Sequence, residues 1–183
     1  MEHKIILISG MPATGKSSLA WWLAKKLGVS LVSYDSMVEK TIDITERYQL
    51  NPKDYAIFPY EFFWFEVEEH MKVSSLFIAE YIYNDNAINK LKELTEKYNY
   101  QGITIHMNAE LEAAYKRFKQ RNQEKVAKKG MRPDISFETF CEGTKQNREF
   151  CFGKYVKQVD TTDFIKVVYE EIYDWILECL QSY

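Results

Sequence analysis

Cysteine is scarce and unpaired in this sequence: Cys141, Cys151 and Cys179 are the only three in 183 residues, with no CxxC spacing among them. Reduced thiols of a cytosolic protein fit that pattern better than the disulfide framework of a secreted one. The three histidines, His3, His70 and His106, are scattered, with no HExxH and no ligand spacing, so no zinc site is expected. Hydrophobic runs are short. None approaches the ~18 residues needed to cross a bilayer. Residues 5–8 pass directly into a glycine motif without the small-residue cleavage site of a signal peptide. The expectation is a soluble, cytoplasmic protein with no membrane partner. An excess of either charge is missing too: 24 Lys plus Arg meet 27 Asp plus Glu, for a net charge of -3. That balance excludes a surface built throughout to hold nucleic acid or an anionic membrane, and leaves room only for a local basic patch. There is no internal repeat, low-complexity segment or linker. With 46% apolar and 28% charged side chains, residues 1–183 read as a single globular domain, neither disordered nor fibrous.

What is present reads as alternating strands and helices. Residues 4–9 form a continuous apolar run, the pattern of a strand covered on both faces in a parallel sheet. Leu19, Leu23 and Leu27 recur along the helix predicted over residues 16–27, with Ala20 and Ala24 beside them and Gly28 as its C-terminal cap. A second strand over 29–33 precedes a helix for which Ser36 and Glu39 make a capping box. After a break at Pro52, the aromatic-rich residues 59–73 read as helix and 76–79 as strand. Ile88, Leu91, Leu94 and Tyr98 then form the stripe of another helix. A strand over 102–107 leads into a long helix from about Ala109 with Leu111, Ala114, Tyr115 and Phe118 on one face. A helix over 137–150, a strand over 156–159 and a last helix carrying Phe164, Val168, Ile172, Trp175 and Leu180 complete the chain. Such alternation predicts an α/β fold of three layers around a mostly parallel sheet of about five strands.

One motif is sharp. Residues 10–17, Gly10-Met11-Pro12-Ala13-Thr14-Gly15-Lys16-Ser17, satisfy GxxxxGK[ST] between a predicted strand and a predicted helix, the context its mechanism requires. Chance matches occur in roughly one chain in a hundred of this length before that context is demanded. The glycines let backbone N–H groups and the positive end of the helix converge on one anion. Lys16 is then placed to reach the β- and γ-phosphates, and the Ser17 hydroxyl to ligate Mg²⁺.

The Gly-x-Pro-x-x-Gly-Lys-Ser-Ser form of this loop, through Ser18, resembles the P-loop kinases. So do Asp35 just after the second strand, Arg117 and Arg121 late in the helix after the fourth strand, and Val159-Asp160-Thr161-Thr162 near the last strand. Within those kinases the sequence is most similar to the polynucleotide-kinase-like and chloramphenicol-phosphotransferase-like group, which includes the zeta toxins. The resemblance implies a P-loop NTPase fold with a basic lid, ATP bound on residues 10–18, and Asp35 accepting the proton of the acceptor. It also implies lid arginines at 117 and 121, and backbone contacts to adenine near Thr161. Ala13 departs from the group, which usually has glycine there. An alanine resists positive φ, so a slightly reshaped loop is expected.

Other phosphate-loop classes fit less well. A GTPase needs Asn-Lys-x-Asp to read guanine, and the one Asn-Lys pair, Asn89-Lys90, continues as Leu91-Lys92 inside a helix. A hexameric motor ATPase needs a longer module and an acidic third-strand end suited to water activation. The Ala79-Glu80 ending here weakens that reading.

Phosphoryl transfer asks for position and for cancellation of charge. Asp35, on the edge where α/β sheets bind ligands, is the candidate to take the acceptor's proton, with a helix N-cap as its plain alternative. Glu80 ends the third strand on the same edge and is the candidate for a Mg²⁺-bound water or an acceptor hydroxyl, with Asp85 as a weaker competitor. Tyr34, Tyr81 and the run Phe58, Tyr60, Phe62, Phe63, Trp64 and Phe65 are either core or an apolar wall or self-association face. Between Lys116 and Arg132 eight basic residues meet one acidic residue, Glu124. That block is a solvated helix face or a lid over about residues 116–135, turning at Gly130 and Pro133 and carrying Arg132 as a third candidate.

These residues point to an ATP- and Mg²⁺-dependent kinase acting on a hydroxyl of a small-molecule acceptor. A polynucleotide 5′-hydroxyl kinase and a non-catalytic ATP-binding regulator stay open beside it. Neither the acceptor nor the oligomeric state is legible.

Overall fold

Alternation along one central strand explains why both faces of the sheet are covered. In β1 (His3–Gly10), Ile5 and Leu7 point to one side and Ile6 and Ile8 to the other, and all four are fully buried. The structure is a computed structural model that describes residues 3–129, 135–145 and 150–181. Around β1 run β2 (Leu31–Ser33), β3 (Leu76–Glu80), β4 (Tyr100–Asn108) and β5 (Tyr155–Asp160) in the spatial order β2-β3-β1-β4-β5. Every pairing is parallel. The chain leaves β1 for the far edge at β2, returns through β3, and only then crosses to β4 and β5. The order therefore reverses at β1, and the crevice outside its carboxyl end is the place where such sheets bind ligands.

Helices α1 (Lys16–Leu27) and α7 (Tyr169–Gln181) cover one face. Leu19, Leu23, Ile172 and Ile176 pack there on Ile6, Ile8, Ile103 and Ile105. Helices α3 (Phe58–Val73) and α4 (Asp85–Tyr98) cover the other, where Phe63, Val67, Leu91 and Leu94 meet Ile5, Leu7 and Phe77. A small third cluster joins α5 (Leu111–Lys129) and α6 (Phe137–Thr144) to the phosphate-loop region through Ala114, Phe140 and Met11.

Three local expectations are corrected. Helix α2 (Tyr34–Arg47) starts directly out of β2 with Ser33 at its cap position, so Ser36 and Glu39 lie inside the helix and form no capping box. Ser33 makes no side-chain cap bond there, and its hydroxyl donates to Glu80 Oε2 at 2.7 Å. The helix expected over 137–150 runs to Thr144; residues 146–149 lie outside the described residues, and Phe150 is a buried core residue beyond them. Phe164 does not belong to the last helix. It opens a 3-10 turn (Phe164–Lys166) capped by Asp163, whose Oδ1 accepts from the Ile165 amide, and α7 begins only at Tyr169. The aromatic run divides: Phe63 and Trp64 are core, while Phe58, Phe62 and Phe65 are exposed.

Lys4 ties the two ends of the chain together. Its buried ammonium donates to the carbonyls of Cys179 (2.8 Å) and Leu180 (3.2 Å) at the C-terminal end of α7, where a cation also suits the helix dipole. Lys4→Met keeps the aliphatic stem and leaves both carbonyls without that donor. A stability loss of about 2 kcal/mol is expected, read as a lower midpoint in urea denaturation with an unchanged slope.

Candidate active site

Backbone stereochemistry builds the phosphate loop. Gly10 has φ +127°, and a Cβ there would lie 1.9 Å from the Met107 carbonyl oxygen of the neighbouring strand, so only glycine lets the chain turn off β1. Met11 N–H then bonds to that same oxygen at 3.1 Å. Gly15, at φ +84°, is the N-cap of α1 and turns the chain into the helix. Between them Ala13 takes φ +61°, the left-handed conformation that its side chain disfavours. The alanine keeps to a glycine-like backbone at the expense of strain. The Thr14 hydroxyl closes the loop from inside, donating to the Met11 carbonyl at 2.7 Å.

Two opposite charges are buried beside the loop. Lys16 is 7% exposed and donates to the Met11 carbonyl at 2.8 Å. Burial pushes its ammonium down from the usual lysine range, against the pull of Glu80 and Asp35 and together with the repulsion of Arg121. Glu80 is 2% exposed and ends β3 in register with Ile8 on one side and Ser33 on the other. Its carboxylate accepts from Ser33 Oγ at 2.7 Å and from Ser17 Oγ at 3.5 Å. Burial raises its pKa above the usual carboxylate range, with Lys16 opposing and Asp35 adding to the rise. A hydroxyl and a carboxylate at the mouth of the loop form a set of hard oxygen donors, and a buried carboxylate is stabilised by a cation. Ser17 and Glu80 therefore fit Mg²⁺.

Two cavities meet at this point. The first, of about 490 Å³, runs along the loop and is lined by Ala13, Gly15, Lys16, Ser17 and Ser18, with Asp35 on its α2 wall and Arg117 and Arg121 on its α5 wall. The second, of about 410 Å³, lies behind Pro12 and is lined by Tyr34, Glu80, Tyr81, Asn84 and Phe118 among others. Lys16, Asp35 and Arg121 line both. Asp85 lines neither; it stands in the first turn of α4, whose cap is Asn84. Gly10, Met11 and Thr14 are buried behind the surface of the loop and shape it from within.

The two lid arginines hold different posts. Arg117 donates to the carbonyls of Ala13 (3.3 Å), Thr161 (2.7 Å) and Thr162 (2.7 Å), and its guanidinium lies 4.0 Å from the centre of the Phe164 ring. It fastens the phosphate loop to the segment after β5. Arg121, one turn further, faces the junction of the cavities. Arg132, Gly130 and Pro133 lie outside the described residues. Thr161 is fully buried, with its amide and hydroxyl both bonded to the Asn108 carbonyl, and it lines neither cavity. Asp160 turns inward on Thr162, accepting from its amide and hydroxyl.

Among the wall residues that escaped the sequence reading are two aromatic ones. Phe164 reaches over Gly15, with its ring 3.0 Å from the position a Cβ would take there. Its apolar spacing with Val168 and Ile172 read as helix stripe. Trp21 lines the first cavity and is 61% exposed; the signal available was a large aromatic lying off the Leu19–Leu23 stripe of its helix.

A phosphate loop on the central strand of a five-stranded parallel sheet, with a basic helix over it, defines the P-loop kinase-like fold. The chain belongs to the AAA domain family, whose sequence model matches residues 6–139. Solved structures share the architecture over nearly its whole length. A Chloroflexus aurantiacus J-10-fl protein provisionally assigned as a kinase is 20% identical with a TM-score of 0.82, over 99% of this chain and 98% of that one. A Sinorhizobium meliloti 1021 gluconokinase is 14% identical with a TM-score of 0.59, over 98% of both chains. The Mycobacterium tuberculosis APS kinase, solved with AMPPNP and APS, is 11% identical with a TM-score of 0.58, over 99% of both. At these identities the likeness is one of fold. Among curated protein sequences none matches the chain. No described helix is long and apolar enough to cross a membrane.

Two measurements test this account of the loop and its charges. Ala13→Gly relieves left-handed strain of about 1–2 kcal/mol but adds unfolded-chain freedom worth about 0.4–1 kcal/mol. A net gain between about 0 and about 1.6 kcal/mol is expected in thermal denaturation. Glu80→Gln removes a carboxylate whose folded-state pKa is raised. In the window above its unfolded pKa the folded state binds the extra proton, so Glu80 costs stability as pH rises. The stability of the variant relative to the parent is therefore expected to grow from pH 4.5 upwards, followed by urea titration at stepped pH. A difference independent of pH would count against the buried-carboxylate assignment.

Proposed function

We propose that the protein is an ATP-dependent kinase that transfers the γ-phosphoryl group to a hydroxyl of a small-molecule acceptor. The observation that carries this reading is the meeting of two cavities at Lys16, Asp35 and Arg121. One cavity follows the phosphate loop and the other shares these three residues with it, so a triphosphate and a second molecule can reach one point. The motif set supports placing the chain near the polynucleotide-kinase-like and chloramphenicol-phosphotransferase-like kinases.

In the proposed reaction the acceptor oxygen attacks the γ-phosphorus, the bond from that phosphorus to the β–γ bridging oxygen breaks, and ADP leaves. The acceptor's proton passes to the Asp35 carboxylate. Loop amides and Lys16 hold the β- and γ-phosphates, and the Lys16 ammonium exchanges its Met11 carbonyl for phosphate oxygens. Arg121 offsets the negative charge spread over the transferring group. Arg117 acts one step removed, keeping the loop against the segment after β5. Ser17 and Glu80 would hold Mg²⁺, which when bound neutralises charge on the phosphates.

The test supplies purified protein with γ-labelled ATP and Mg²⁺, a fractionated metabolite extract in one arm and 5′-hydroxyl oligonucleotides in the other. Label is expected in the metabolite arm, lost with Lys16→Ala and reduced about 10²–10³-fold in kcat with Asp35→Asn. Label in the oligonucleotide arm with steep salt dependence would make the protein a polynucleotide kinase instead. ATP binding without transfer in either arm would favour a regulatory nucleotide-binding protein.

A further inference from the structure

Helix α3 is apolar on two opposite sides. Phe63, Val67 and Met71 are buried and hold one side against Ile5, Leu7 and Phe77 of the sheet. Phe58, Phe62 and Phe65 stand four and then three residues apart, so they form one stripe on the side turned away, where they are 38%, 49% and 59% exposed. A helix that is apolar all round is ordinarily buried all round. Ring contacts make the stripe continuous. Phe62 meets Phe58 edge to face at 5.8 Å and 77°, and Phe58 meets Tyr55 of the 3-10 turn Pro52–Tyr55 at 5.0 Å and 86°. Ile57 beside them is more than half exposed. Helix α2 packs against both α3 and that turn, and Ile44 and Tyr48 at its C-terminal end are exposed as well. None of these side chains lines either cavity at the phosphate loop, so the face is separate from the candidate active site.

Area says what such a face fits. A large aromatic side chain covers roughly 200 Å², so the three phenylalanines leave roughly 300 Å² bare, and Tyr48, Ile57 and Ile44 bring the apolar total to roughly 600 Å². That is the upper end of the largest patch a monomer ordinarily shows to water, about 300–600 Å². A stable contact between two copies buries about 800 Å² on each, about two thirds of it apolar, which is roughly 500 Å². The stripe meets that need. Charge then selects how the copies meet. Glu61, Glu66 and Glu69 flank the rings, and two α3 helices laid parallel about a two-fold axis would set each carboxylate against its own copy. Laid antiparallel with Phe62 at the axis, Phe58 of each chain faces Phe65 of the other. The ion pair of Lys72 and Glu69, at 2.5 Å beyond Phe65, then comes to the exposed Lys53 and Asp54 of the other chain's 3-10 turn, so each end of the contact holds both signs.

We propose that the phenylalanine stripe of α3 is the docking face for a second copy of this chain, in a two-fold dimer whose α3 helices lie antiparallel with Phe62 against Phe62 and Phe58 against Phe65. Both copies use the same residues, so the contact closes on itself and recruits no third chain.

The test is sedimentation velocity on the full chain from about 1 to about 100 µM, with far-UV circular dichroism to check folding of each variant. A species of twice the chain's mass is expected, half-dissociated in the micromolar range or below. Phe62→Glu sets two carboxylates against each other at the axis and is expected to weaken association at least about 100-fold. Ile165→Glu, at an apolar side chain that is 94% exposed elsewhere on the surface, is expected to leave association unchanged. Phe58→Lys and Phe65→Glu are each expected to weaken self-association, and an equimolar mixture of the two is expected to pair again, because the antiparallel register sets one against the other. That pairing is read between two different chains, so it decides the matter even where Phe62→Glu does not fold. A protein monomeric over the whole range, or a dimer that all three stripe variants leave intact, would overturn the proposal. Loss of the dimer in the single variants with no pairing in the mixture would overturn the antiparallel register. A monomer that sediments with phosphatidylcholine vesicles would assign the stripe to a lipid surface and overturn the dimer.

Discussion

A buried ammonium and a buried carboxylate, held at the carboxyl ends of neighbouring parallel strands, set the conditions for everything around them. Strand register fixes the carboxylate: Glu80 lies level with Ile8 of β1 and Ser33 of β2, so β2 and β3 end together there while β1 runs on to Gly10 and the loop. Loop geometry fixes the ammonium, because Gly10 and Gly15 bend the chain until Lys16 points back to the Met11 carbonyl. Each charge is driven towards neutrality by burial, Lys16 downwards and Glu80 upwards, and each is opposed by the other. Isolated buried charges are costly unless paired and fully hydrogen-bonded. The arrangement is accordingly one that an incoming anion and cation would relieve. Phosphate oxygens complement Lys16, and a divalent cation complements Glu80.

The same carboxylate stands beside the start of α2. Ser33 is the last residue of β2 and stands at the cap position of α2, with its hydroxyl donating to Glu80, and the helix begins at once after it. Beginning there, it carries Asp35 in its first turn and turns it into the space that both cavities share. A loop between β2 and α2 would move that carboxylate away from the end of β1. The position of Asp35 thus follows from the direct passage of β2 into α2.

What could be read from the sequence follows the same division. The phosphate loop, the strand before it and α1 were legible because each rests on local stereochemistry: a left-handed turn admits few residues, and Leu19, Leu23 and Ala20 can lie on one face only in a helix. The all-parallel sheet of five strands was legible through the alternation of elements, although its order was not, because register depends on contacts far apart in the chain. Ser36 and Glu39 have the spacing of a capping box, yet spacing cannot reveal that Ser33 is committed to Glu80 and starts the helix earlier. Phe164 failed for a related reason. Its apolar character fits the helical period of α7, and only the approach of Arg117 and Gly15 shows it belongs to the wall of a cavity. Thr161 drew attention as a nucleotide neighbour through resemblance, and its place in the fold, with amide and hydroxyl on the Asn108 carbonyl, depends on a contact far away in the chain.

The aromatic residues show the limit most clearly, and why it lies on the acceptor side. A phosphate site is made largely of backbone amides, so its requirements are written into which residues permit the backbone path. An acceptor pocket is made of side chains, and the ring types that would line it are also the types that fill a core. Phe63 and Tyr81 are the same chemistry stacked on each other, one fully buried and one lining a cavity. Nothing local distinguishes them. The difference arises because β3 ends at Glu80, so the ring of Tyr81, although packed among Phe63, Tyr34 and Tyr83, keeps part of its surface on a cavity. The identity of a partner is decided by which core-like residues the fold leaves uncovered, and that is a property of how distant elements meet.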